Sequence, residues 1–155
     1  MSFQAKLILG STEYNILTVE YAISQQVDVH NRPNGRPRGG IIDLTIESGS
    51  NHDLIQWVVQ DNMVKNGKIE FYRRDANSSQ KTVEFKDGFC IYLKEIFVAD
   101  GANPMVTKLT ISSRELTILN VNIQNAWAGM QSGSGSSGSG SSSETTSTGN
   151  TVQFD

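Results

Sequence analysis

The sequence predicts a mainly β fold, an antiparallel β-barrel of two packed sheets with one α-helix at about residues 52–63. Three observations predict it. Apolar and polar residues alternate at the two-residue period of a half-buried strand in segment after segment. Only the stretch from Leu54 to Val59 follows the helical period. Roughly seven to nine short strands with a single helix cannot build alternating βαβ units, which need a crossover helix for each parallel pair. Strands that close on themselves, with the helix over an edge or an open end, are the economical arrangement.

Ala5 to Leu9 is an apolar run ended by Gly10, and Asn15 to Val27 alternates loosely after a turn near Ser11. In Ile42 to Glu47, Leu44 and Ile46 occupy alternate positions with Thr45 and Glu47 between them. The helix follows, its stripe formed by Leu54, Ile55, Val58 and Val59. Asn51 suits the N-cap, and Asp53 puts a negative charge in the first turn, where the helix dipole favours it. Asn66-Gly67 supplies the stop. Ile69, Phe71 and Arg73 form the next strand, and a polar turn at Asp75 to Gln80 leads into Val83 and Phe85 as a hairpin. A further strand carries Phe89, Ile91 and Leu93 on one face, with Cys90, Tyr92 and Lys94 on the other. After the break at Asp100 to Pro104, Leu109 and Ile111, then Leu116 and Ile118, continue the alternation.

Composition narrows the function. From Ser132 to Ser143 the chain contains only Ser and Gly, so the reading is one domain over residues 1–129 and a flexible linker with a terminal peptide over 130–155. As a random coil, Ser132 to Asp155 spans about 25–30 Å. Thr151-Val152-Gln153-Phe154 could add to a sheet edge, although disorder is the expected state. Of 16 acidic and 13 basic residues, Glu144 and Asp155 belong to this tail, which leaves a body with 14 against 13. A body so near neutrality argues against nucleic acid as the main partner, since phosphate binding requires a surplus of cations on one face. No apolar run is long enough to span a membrane, and the first residues lack the basic start and apolar block of a secretory signal.

Catalytic chemistry finds little support. His30 and His52 are the two histidines, neither in a metal-ligand spacing, and Cys90 lies mid-strand between apolar residues. No catalytic group, cofactor or metal is expected. Gly133 to Gly138 matches a dinucleotide-binding glycine pattern, but a Ser/Gly tract follows where a helix must hold the pyrophosphate. Asn77-Ser78-Ser79 reads as turn chemistry. The informative stretch is Asp28 to Gly40, a long loop containing Asp28, His30, Arg32, Arg36 and Arg38. Loops of this length in compact domains are often functional. Arginine is well suited to pairing with carboxylates across an interface, so a docking arm is the reading. Tyr72 and Tyr92 lie opposite the core-facing phases of their strands and are candidate interface residues.

Taken in order, several blocks resemble the Hcp (TssD) family, the tube protein of type VI secretion, over about Ser2 to Trp127. They are Met1 to Leu7, Glu13 to Leu17, Arg32-Pro33, Arg38 to Ile42 and Leu44 to Ser48. Asp53 to Trp57, Gly67 to Asp75, Asn103-Pro104 and Leu109 to Glu115 complete the set. The resemblance implies a structural subunit with no enzymatic activity, assembled as a homohexamer whose rings stack into a tube. It implies a sheath, spike and baseplate as partners, effector proteins carried in the lumen, and residence in the bacterial cytoplasm until the machine fires. It also implies that the loop Asp28 to Gly40 contacts the adjacent ring. A tail-tube subunit of another contractile system and a small-ligand-binding barrel are the alternatives.

Overall fold

In the computed structural model, which describes residues 3–49, 52–73 and 78–127, the strands are β1 (Phe3–Leu9), β2 (Thr12–Tyr21), β3 (Ile41–Glu47), β4 (Lys65–Arg73), β5 (Ser79–Phe97), β6 (Met105–Ile118) and β7 (Val121–Gln124). The helix α1 (His52–Val59) lies between β3 and β4. Every pairing is antiparallel. The strands run in the order β3-β2-β1-β4-β5-β6-β7, and pairing of β3 with β6 closes six of them into a barrel. β7 takes up the edge of β6 just beyond the point where β3 leaves it, pairing Glu115 with Gln124 after β3 has paired Ile41 with Ser112.

The apolar phases of the strands point inward as the alternation predicts. Leu7, Ile42, Leu44, Ile46, Ile69, Val83, Phe85, Leu109, Ile111 and Leu116 are buried together and fill the barrel interior. A filled interior is the opposite of a ligand-binding barrel, which needs a cavity there. Gly67 is required by this packing: a Cβ on it would lie 2.6 Å from the Phe85 ring and 2.7 Å from Leu9.

The helix is shorter than the sequence predicts, ending at Val59 rather than near residue 63. Asn62 takes a left-handed conformation (φ 60°), which ends the helical path earlier. Asn66 and Gly67, expected as the helix stop, belong to β4. The apolar stripe also differs: Leu54 and Trp57 are buried, whereas Ile55 and Val59 are exposed. Trp57 fixes the helix to the barrel, its indole N–H donating to the Gly88 carbonyl at 3.0 Å, with Lys65 Nζ 5.8 Å from its ring centre. Asn51, the expected N-cap, lies outside the described residues.

β5 carries the second correction. It is one 19-residue strand, where the sequence suggested two. Its inward phase changes from Val83 and Phe85 to Gly88 and Cys90, around Asp87 in a left-handed conformation (φ 51°). Asn66 Oδ1 accepts the Asp87 N–H at 2.9 Å, and Arg114 Nε and Nη2 donate to its carboxylate at 2.8 and 2.5 Å. The pairing with β6 then shifts by one residue between Cys90 and Tyr92, which is the mark of a β-bulge. Cys90 is therefore buried and Ile91 exposed, the reverse of the predicted phase, while Tyr92 does face outward. β6 is likewise a single strand through both expected segments. β2 ends at Tyr21, so Ala22 to Val27 belong to the following loop. The β4–β5 hairpin forms as expected, with part of its turn, residues 74–77, outside the described residues. The whole of the predicted linker and terminal peptide, residues 130–155, lies outside them too.

Candidate assembly surface

β2 and β5 are shared between the two sides of the barrel. The first half of β2 pairs with β1 up to Ile16, and the second half pairs with β3 from Ile16 to Tyr21. β5 pairs with β4 only as far as Gly88, but stays paired with β6 to Phe97. One wall is therefore a four-stranded sheet, β2-β3-β6-β5, with two open margins. Among the described residues, nothing pairs with the β1-side edge of β2 past Ile16 or with the β4-side edge of β5 past Gly88. Unpaired strand edges of this kind are templates for another chain.

The middle of this wall's outward face is polar, between a row with Ile41 and Phe89 at one end and a row with Val106 and Ile96 at the other. The polar cross-strand rows are Glu20, Asp43, Thr110 and Tyr92, then Thr18, Thr45, Lys108 and Lys94. Thr110 Oγ1 donates to Asp43 Oδ1 at 2.6 Å. Sequence alternation places Lys94 opposite the apolar phase of its strand and assigns Glu20 to no face. It says nothing of their rows, because the rows depend on which strands pair, and these residues were missed for that reason.

The loop from Ala22 to Gly40 extends the β2–β3 hairpin as an arm. Single bridges tie Ser24 to Arg38 and Val27 to Pro33. At its tip, Asp28 Oδ1 accepts the backbone N–H groups of His30 (2.8 Å) and Arg32 (3.0 Å), while Arg32 Nε donates to Asp28 Oδ2 at 3.0 Å. The backbone hydrogen bond from Arg32 is the main reason the Asp28 carboxyl is held below its usual range; those from His30 and the Arg32 side chain act with it, against desolvation. Asn31, at φ 61°, makes the tight turn inside this clamp. Of the predicted docking residues, the structure thus joins Asp28, Arg32 and the His30 backbone into one tip. Arg36 and Arg38 stand exposed on the returning limb, with no ion pair among the described residues.

The base of the arm is fixed where β3, β6 and β7 meet. Ser113 N–H and Oγ–H both donate to the Gly40 carbonyl, at 2.8 and 3.1 Å. Asn125 Nδ2 donates to the carbonyls of Gly39 and Ser113. Gly40 has φ 105°, and a Cβ there would lie 2.5 Å from Ser113 O, so a side chain at this position would be both strained and blocked.

The two tyrosines are separated. Tyr92 is half exposed on the polar wall beside the open margin of β5. Tyr72 sits on β4, its hydroxyl donating to Glu70, which also pairs with Lys68 at 2.8 Å. Cys90 is buried, and desolvation raises its thiol pKa, which is the reverse of an activated nucleophile. Among the described residues there is no cluster of three metal-ligating side chains and no helix long and apolar enough to cross a membrane.

A barrel with a filled interior, open sheet margins and a braced projecting arm defines a class, the self-assembling subunit. The family model of the hemolysin coregulated protein Hcp (TssD) matches residues 1–128. The structure superposes on Hcp1 from Flavobacterium johnsoniae with a TM-score of 0.74 at 28% identity, covering 79% of this chain and 99% of that one. It superposes on Hcp1 from Salmonella typhimurium with a TM-score of 0.63 at 11% identity, covering 75% and 85%, a likeness of fold. No curated protein matches the sequence significantly. The chain belongs to the Hcp (TssD) family, and it is a tube subunit of a type VI secretion system.

Proposed function

We propose that this chain acts as a homohexameric ring whose hole is walled by six copies of the β2-β3-β6-β5 sheet. The supporting observation is that this wall has an even number of strands and two open margins. With four strands, β5 runs opposite to β2, so a copy related by rotation about an axis along the wall joins antiparallel, margin to margin. Such a heterologous contact repeats until it closes. Six walls make 24 strands, and at about 4.8 Å per strand the backbone circle is roughly 37 Å across before strand tilt widens it.

The polar middle of the outward face suits a water-filled lumen, in which effector proteins travel without a catalytic group or cofactor. The arm is the ring-to-ring contact: Asp28 and Arg32 hold its shape, leaving Arg36 and Arg38 to meet acidic groups on the next ring. Sheath, spike and baseplate proteins would engage the outside of the tube. The subunit waits in the bacterial cytoplasm and is expelled when the machine fires. Tyr92 lies in the ring joint, and Tyr72 on a separate subunit face.

Light scattering coupled to size exclusion tests the ring: a particle of six 17.0 kDa subunits is expected, with annuli in electron micrographs. A lone subunit at every concentration contradicts it. Exposed charge pairs are screened over about 8 Å at physiological ionic strength. Raising salt should therefore take stacks apart while rings persist, and salt-insensitive stacks would count against the arginine arm.

A further inference from the structure

The polar wall carries its charge unevenly. Glu20 on β2 stands directly opposite Asp43 on β3, and Lys94 on β5 directly opposite Lys108 on β6. All four are exposed. Like charges facing each other across a strand pair are unfavourable. Among the described residues, Glu20, Lys94 and Lys108 form no ion pair, and Asp43 has only the Thr110 hydroxyl. The fold itself gains nothing from this arrangement. Its sense appears at the margins, where Glu20 borders one open edge and Lys94 the other.

We propose that Lys94 of one copy pairs with Glu20 of the next, and that this pair sets the polarity of the ring joint and bars slips of its register by a single residue. The inference rests on the reading that the β2 and β5 margins join. In a flush joint the rows continue, so Lys94 meets Thr18 and lies diagonal to Glu20; a stagger of two residues sets the two directly opposite. Long side chains bridge either separation. A slip of one residue turns the side chains to the other face and loses the pair. The pattern also selects against wrong joints. A β5-to-β5 contact brings Lys94 near a second Lys94, and a β2-to-β2 contact brings Glu20 near a second Glu20. Symmetric dimers, the commonest closed homo-oligomers, are thereby disfavoured relative to the head-to-tail contact. Lys108 and Asp43, one strand inside each margin, extend the opposite potentials.

Lys94→Glu and Glu20→Lys, purified separately, test this. Each should remain folded by circular dichroism yet form rings at least ten-fold less than the parent chain at equal concentration and low salt. Mixed in equal amounts, they should recover rings in which the variants alternate, since every joint then faces opposite charges and six is even; native mass spectrometry reads three of each. The double variant, with both substitutions in one chain, should recover rings alone. Normal rings from the single variants, or no recovery in either the mixture or the double variant, would overturn the pairing. Amide exchange on parent rings separates the two levels. Protection along Ile91 to Phe97 with unaffected single variants leaves the edge joint standing and removes the charge pair. Free exchange there removes both.

Discussion

The two halves of β5 are one continuous strand with different surroundings. From Ser79 to Gly88 it has β4 on one side, and from Val83 also β6 on the other; from Phe89 to Phe97 it keeps β6 alone. Val83 and Phe85 in the first half are buried, whereas Ile91, Tyr92 and Phe97 in the second are exposed. Gly88 is the boundary, and there Trp57 brings the helix onto the strand. The first half holds the subunit together and the second is left for another copy. The difference comes from register and length rather than from residue type, since both halves mix apolar and charged side chains.

The largest effect expected from breaking this comparison is in the first half. Phe85→Ala removes a buried ring packed over Gly67 and should cost about 3–5 kcal/mol. Denaturant unfolding would measure it, and a loss under about 1 kcal/mol would mean that the paired half does not carry the fold. Lys94→Glu, in the second half, should leave the unfolding free energy of the dissociated subunit within about 0.5 kcal/mol of the dissociated parent while rings are lost. Equal destabilisation by the two variants would erase the distinction between the halves.

A smaller effect belongs to the arm. Because the folded Asp28 carboxyl titrates below its ordinary range, its contribution is fully present above that range and fades as pH falls through the lowered value. Ring stacks should therefore loosen only at strongly acidic pH, with single rings retained. Asp28→Ala should produce the same loosening at neutral pH. Electron microscopy counts stacks against rings, and stacks unaffected by Asp28→Ala would show that the tip clamp is not needed for docking.

Much of the fold was legible because alternation is a local property. Leu44 and Ile46 point inward as their spacing requires, and Leu54 of the expected helical stripe is buried, whereas Trp57, which that stripe leaves out, is the helix's other buried residue. Phase was lost where the backbone changed conformation inside a strand: Asp87 is left-handed, at an Asp-Gly pair that the alternation runs past, so Cys90 turns inward and Ile91 outward, and the bulge after Cys90 leaves Tyr92 outward as well. The arm stood out by its arginines and its length, but the sequence gives no sign that Arg32 is engaged by Asp28 while Arg36 and Arg38 are not. The wall was invisible for a different reason. Glu20 and Asp43 are 23 positions apart and become neighbours only through strand pairing, and an open margin is a relation between strands that no single segment encodes.

Amide hydrogen exchange along β5, measured on dissociated subunits and on assembled rings, addresses the edge joint most directly. Amides from Val83 to Gly88 should exchange slowly in both. Every second amide from Ile91 to Phe97, together with those facing the open side of β2 from Leu17 to Tyr21, should be fast in the lone subunit and slow in the ring. If those two margins exchange equally fast in both states, copies meet through some other surface and the account is wrong.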